Sequence, residues 1–97
     1  MSAPTTVSTP IADVVWRDLV TVTGRLRSIR IVRDHAGQSL ELAVYDETGG
    51  LIAGFTGRNE IGGVELGAHV ELTGRIGDRR GHFAMLNPTL RLLPRAR

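Results

Sequence analysis

Cysteine is absent from these 97 residues, which excludes disulfides and thiolate metal sites. Lysine is absent too. All twelve basic residues are arginine, a pattern that GC-rich coding produces and that also suits bidentate phosphate contact and stacking. Ten carboxylates offset the arginines and leave a net charge of only +2, so any basic footprint must be local. Aromatics are scarce: one Trp, one Tyr and two Phe. No run is long enough to cross a membrane. The first ten residues lack the basic and apolar regions of a signal peptide, which makes the cytoplasm the expected location. Catalytic patterns are also missing. His35, His69 and His82 have no metal-ligand spacing, and Ser8, Ser28 and Ser39 have no base nearby in sequence. Gly49-Gly50 and Gly62-Gly63 lack the Lys-Ser/Thr of a phosphate loop. The expectation is a protein that is not an enzyme and takes no metal and no cofactor.

What is present is alternation. Leu40, Leu42 and Val44 alternate with Glu41, Ala43 and Tyr45, the period of a half-buried strand. Asp46 to Gly50 supplies turn chemistry, since Gly accepts positive φ and Asp and Thr bond their own backbone. A second strand follows, with Leu51, Ala53 and Phe55 on one face and Ile52, Gly54 and Thr56 on the other.

Around this hairpin the chain reads as one small domain. Residues 1–12 are poor in large apolar groups and read as a disordered tail, with 13–97 folded. Ile11, Val15 or Trp16 is expected to pack on the domain as a lead-in. Leu19 to Arg33 reads as a long first strand whose apolar parity switches between Leu26 and Ile29, which calls for a β-bulge between Gly24 and Ser28. A short or vestigial helix is expected within Arg58 to Gly67, weakened by Gly62 and Gly63. Ala68 to Gly77 is a fourth strand with Val70, Leu72 and Ile76 inward. His82 to Leu93 is a fifth, interrupted at Asn87-Pro88 because proline cannot donate to a ladder. Val20 to Leu26 echoes Val70 to Ile76, with Gly24 and Gly74 as matched bends. The predicted fold class is all-β, a small closed barrel of five strands.

The segment Val44-Tyr45-Asp46-Glu47-Thr48-Gly49-Gly50-Leu51 resembles the hairpin between strands 2 and 3 of OB-fold nucleic-acid-binding domains. It is similar to anticodon-binding OB domains and to the wedge domain of RecG-type helicases, where a D-x-[TS]-G turn joins those strands. Ala84-Met85-Leu86-Asn87-Pro88 resembles the fifth wedge strand, with its x-M-x-x-P pattern. Such wedge domains carry two adjacent aromatics at the end of strand 3, and here the second is Thr56. The resemblance implies a five-stranded Greek-key OB barrel binding nucleic acid on the face of strands 2 and 3.

On that scheme Arg25, Arg27 and Arg30 lie on strand 1 and Tyr45 on strand 2. Thr56 and Arg58 follow on from strand 3, and Arg79 and Arg80 occupy the loop between strands 4 and 5. Tyr45 has the parity of an outward stacking platform, and Phe55 that of the core. The expected function is weak binding of single-stranded DNA or RNA through arginine–phosphate contacts. The alternative is an interaction module that binds a protein partner, or a second copy of itself, through a sheet edge or apolar face.

Overall fold

A computed structural model describes residues 8–35, 37–58 and 60–94. Among these residues a 3-10 turn, Ile11–Asp13, precedes six strands: β1 (Leu19–Asp34), β2 (Gly37–Tyr45), β3 (Gly50–Thr56), β4 (His69–Arg79), β5 (His82–Leu86) and β6 (Thr89–Leu92). They form one sheet in the order β1-β2-β3-β5-β4-β6, and pairing of β1 with β4 closes five of them into a ring. All pairings are antiparallel except that of β3 with β5.

Closure depends on how β1 changes partner. Leu19 to Arg25 pair with β4, and Arg25 to Asp34 pair with β2. The β1–β2 register shifts between Leu26 and Ser28, which leaves Arg27 as the extra residue of the expected bulge. Gly24 stands where the strands converge: a Cβ there would lie 2.5 Å from the Tyr45 carbonyl oxygen and 2.8 Å from Val44 Cγ1. Close approach of backbone therefore explains this glycine, since its φ is not in the left-handed region.

The inward residues of β1 to β5 fill the ring. Val22, Leu26, Leu40, Leu42, Val44, Leu51, Ala53, Phe55, Val70, Leu72, Ile76 and Met85 are buried. Ile29 and Ile31 stand opposite Leu42 and Leu40 but remain 40 and 50% exposed. The pairing of β1 to β4 has already ended there, so no β4 strand covers them.

Two elements differ from expectation. Within 58–67 the described residues form two separate turns, closed by Val64 N–H to the Ile61 carbonyl and Ala68 N–H to the Glu65 carbonyl, in place of a helix. Gly63 (φ 79°) and Gly67 (φ 85°) take the left-handed conformation that ends helical propagation. Ile61 and Val64 still pack on the core. The predicted fifth strand is divided into β5 and β6, which run consecutively along β4. At the break Asn87 adopts φ 50°, donates its N–H to the Gly54 carbonyl and accepts the Thr56 N–H on its side chain.

The first seven residues of the expected tail lie outside the described residues. Residues 8–12 are docked: Thr9 N–H donates to the Thr21 carbonyl, and Ile11 is only 1% exposed. Asp46 makes the tie. One carboxylate oxygen accepts the Ile11 N–H at 2.9 Å, while the other accepts the N–H and hydroxyl of Thr48 and the N–H of Gly49. Thr48 Oγ1 accepts the Ala12 N–H. The turn that joins β2 to β3 thus also anchors the lead-in segment. Burial alone pushes the Asp46 carboxyl up, but the Thr48 hydroxyl and these N–H donors outweigh it and hold it below the usual carboxylate range. Trp16, the other lead-in anchor, stacks obliquely on Phe83 with ring centroids 4.9 Å apart.

Among the described residues, no helix is long and apolar enough to cross a membrane.

Candidate nucleic-acid interface

Outward parity places one continuous surface across β1, β2, β3, β5 and β4. Tyr45, Ala43, Glu41 and Ser39 face outward on β2, opposite Gly50, Ile52, Gly54 and Thr56 on β3. Beyond them come Ala84 and Leu86 on β5, then Arg75, Gly77 and Arg79 on β4. On the other flank the outward residues Ser28 and Arg30 of β1 stand opposite Ala43 and Glu41.

The surface has two clefts of interest. At one end Arg25, Arg27 and Tyr45 line a cleft with His69 and Thr23. The bulge turns Arg27 over the Tyr45 ring, its Cζ 4.6 Å from the ring centroid, a cation–π contact. Gly50 lets the ring lie against backbone, since a Cβ there would come within 2.6 Å of the ring's Cζ. Tyr45 is 38% exposed, with the Arg27 guanidinium over its ring. Arg25 donates to the Gly67 carbonyl at 3.3 Å.

The second cleft, about 550 Å³, runs over the middle of the face. Ser39, Glu41, Ile52, Gly54, Thr56, Gly77 and Ala84 line it from β2, β3, β4 and β5, together with Arg75 and Arg79 of β4. Arg79 pairs with Glu41, Nη2 to Oε2 at 2.5 Å, the two side chains being 35 and 6% exposed. The Arg79 Nε–H is buried with no partner among the described residues.

The eight residues singled out from sequence therefore separate. Arg25, Arg27 and Tyr45 meet in one cleft, and Thr56 and Arg79 meet in the other. Arg30 stands opposite Glu41 between them. Arg58 is exposed just after β3 and lines neither of these two clefts. Arg79 belongs to β4, and Arg80 alone tips the turn to β5. There Arg80 (φ 54°) and Gly81 (φ 85°) make the paired left-handed conformations of a tight hairpin, and the Asp78 carboxylate accepts the Gly81 N–H. Sequence reasoning missed Glu41, Arg75 and His69. Alternation could have placed Glu41 and Arg75 on this face, because they share parity with Tyr45 and Arg79.

Among the described residues, no group of three His, Asp or Glu is placed to hold a metal. Comparison with protein-family models finds no match, and comparison with curated proteins finds none either.

Proposed function

We propose that this protein is an OB-fold module that binds single-stranded DNA or RNA across the outer face of β1, β2 and β3. The observation that carries the reading is the clustering of arginine on that face in a chain whose net charge is only +2. Arg25, Arg27 and Arg30 follow one another along β1, and the Arg27–Tyr45 pair offers a cationic stacking platform beside them. Phosphates would be held by the guanidinium groups, with bases lying toward Tyr45 and the central cleft. The OB assignment rests on strand order: a five-strand ring in which β1 pairs with both β2 and β4, and β3 runs parallel to β5. Fold by itself does not choose a ligand, so the charge pattern carries the functional half of the reading.

The test is a titration of isotopically labelled protein with a short single strand, followed by amide chemical shifts. Shifts confined to Arg25–Arg30, Ala43–Tyr45 and the β3 residues facing them support the reading. Shifts confined to the exposed Arg58 and Arg80 would place binding elsewhere.

A second reading has its own observation. The far half of β1, with Ile29 and Ile31 half exposed, suits association with a protein strand or a second copy of this chain. Sedimentation at rising concentration tests it.

A further inference from the structure

Resting on the reading above, we propose that the central cleft takes one guanine base, read by the Glu41–Arg79 pair.

The floor of the cleft is bare without a structural need. Gly54 and Gly77 have φ outside the left-handed region. A Cβ on Gly54 would meet only Leu86 Cδ1, at 3.9 Å, and one on Gly77 only the Ala84 carbonyl oxygen, at 3.9 Å. A Cβ fits at both positions, and β-strands ordinarily disfavour glycine. Contrast Gly24, where the crowding of backbone forbids a side chain. Their absence keeps a flat space open, with Ile52 and Leu86 as apolar neighbours.

The chemistry beside this floor is specific. A buried ion pair is a poor stabiliser, and apolar residues of similar volume serve a fold as well or better. Here the carboxylate is 6% exposed, on a sheet face that is otherwise open. Among the described residues Glu41 bonds through Oε2 only, which leaves Oε1 as an acceptor. The pair together presents a guanidinium donor beside two carboxylate acceptors. Guanine is the base whose pairing edge complements that order, with the O6 acceptor followed by the N1–H and N2–H donors. Adenine offers a carboxylate one donor on that edge, and thymine and uracil offer one donor between two acceptors. The buried Arg79 Nε–H adds an unsatisfied donor, and a buried donor without a partner calls for explanation.

The base could come from a single strand or from a free guanine nucleotide, and the experiment separates them. Fluorescence anisotropy is measured with labelled oligothymidine strands carrying one central guanine, hypoxanthine or adenine. GMP and AMP serve as competitors. Guanine should bind about tenfold more tightly than adenine, toward the low end for a bidentate base contact. Hypoxanthine, lacking the 2-amino group, should lose part of that advantage. Glu41→Gln turns an acceptor into a donor and should abolish the preference. Gly54→Val should abolish it too by filling the space over the floor, while its melting temperature stays at or above that of the parent. Equal affinity for all three strands, still falling with salt, overturns the guanine pocket and leaves the phosphate reading intact. GMP binding without strand binding supports the pocket and refutes the single-strand reading. No binding of any strand or of GMP overturns both.

Discussion

Replacing Asp46 with alanine removes one carboxylate that serves four donors: the N–H groups of Ile11, Thr48 and Gly49 and the Thr48 hydroxyl. Hydrogen bonds to a charged group contribute roughly 1.5–3 kcal/mol each when shielded, and much less when exposed. The Ile11 and Gly49 bonds are part-buried and those of Thr48 are exposed, so about 2 kcal/mol is the expected total. Loosening the Ile11–Asp13 turn also risks Ile11, which is 1% exposed. Full burial of such a side chain contributes roughly 1.5–3 kcal/mol. The melting temperature should fall by about 10 °C, taking about 4–8 °C per kcal/mol for a domain of this size. Circular dichroism measures the melt. Fluorescence of Trp16, the single tryptophan, reports whether the lead-in segment has left Phe83. A pH series supplies a second readout. The folded state holds Asp46 below its unfolded pKa, so the stabilisation is complete above about pH 4 and is lost as pH falls through the folded value. Asp46→Asn should flatten that acid slope. A melting temperature within about 2 °C of the parent for Asp46→Ala, equivalent to less than about 0.5 kcal/mol, would refute the anchoring role.

Other outcomes follow from the same geometry. Gly24→Ala forces a Cβ into the Tyr45 carbonyl and should cost about 1–3 kcal/mol, whereas Gly77→Ala should be neutral or stabilising; chemical denaturation of both variants decides it. Leu72→Ala empties a fully buried position and should cost about 2–5 kcal/mol by the same measurement. If self-association through β1 is the purpose of Ile29 and Ile31, changing both to Thr should dissociate the dimer in sedimentation. A parent protein already monomeric at tens of micromolar, on the order where such equilibria become visible, removes that reading.

Much of the strand plan was legible because burial imposes strict alternation on a two-faced sheet. Leu40, Leu42 and Val44 declared the inward face of β2, and Leu51, Ala53 and Phe55 that of β3. The bulge was legible as a parity switch in β1. Gly24 was visible as a special position, but its cause was not, since close approach of another backbone leaves no local trace. The docking of residues 8–12 was hidden for a similar reason. Their partners are Thr21, Thr23, Asp46 and Thr48, distant in sequence. The helix expected in 58–67 failed because local apolar spacing cannot show that two glycines take left-handed φ. For the site, parity gave the outward position of Tyr45, while the β1 arginines were named from the resemblance. It could not show that Arg79 is neutralised by a buried Glu41, because the pair joins β2 to β4, strands that are not neighbours in the ring.

Salt dependence of single-strand binding tests the central claim most directly. Arg25, Arg27 and Arg30 are the β1 arginines of the face and have no ion pair among the described residues, whereas Arg79 is paired with Glu41 and Arg75 donates to the Arg17 carbonyl. Each contact to a single strand contributes about −0.7 to the slope of log affinity against log salt, so three should give roughly −2. Changing Arg27 and Arg30 together to Ala should remove two contacts and flatten the slope by roughly 1.4, weakening every sequence alike. A protein that binds no single strand at low ionic strength, or a double variant whose affinity and slope match the parent, would contradict the assignment of this face to nucleic acid.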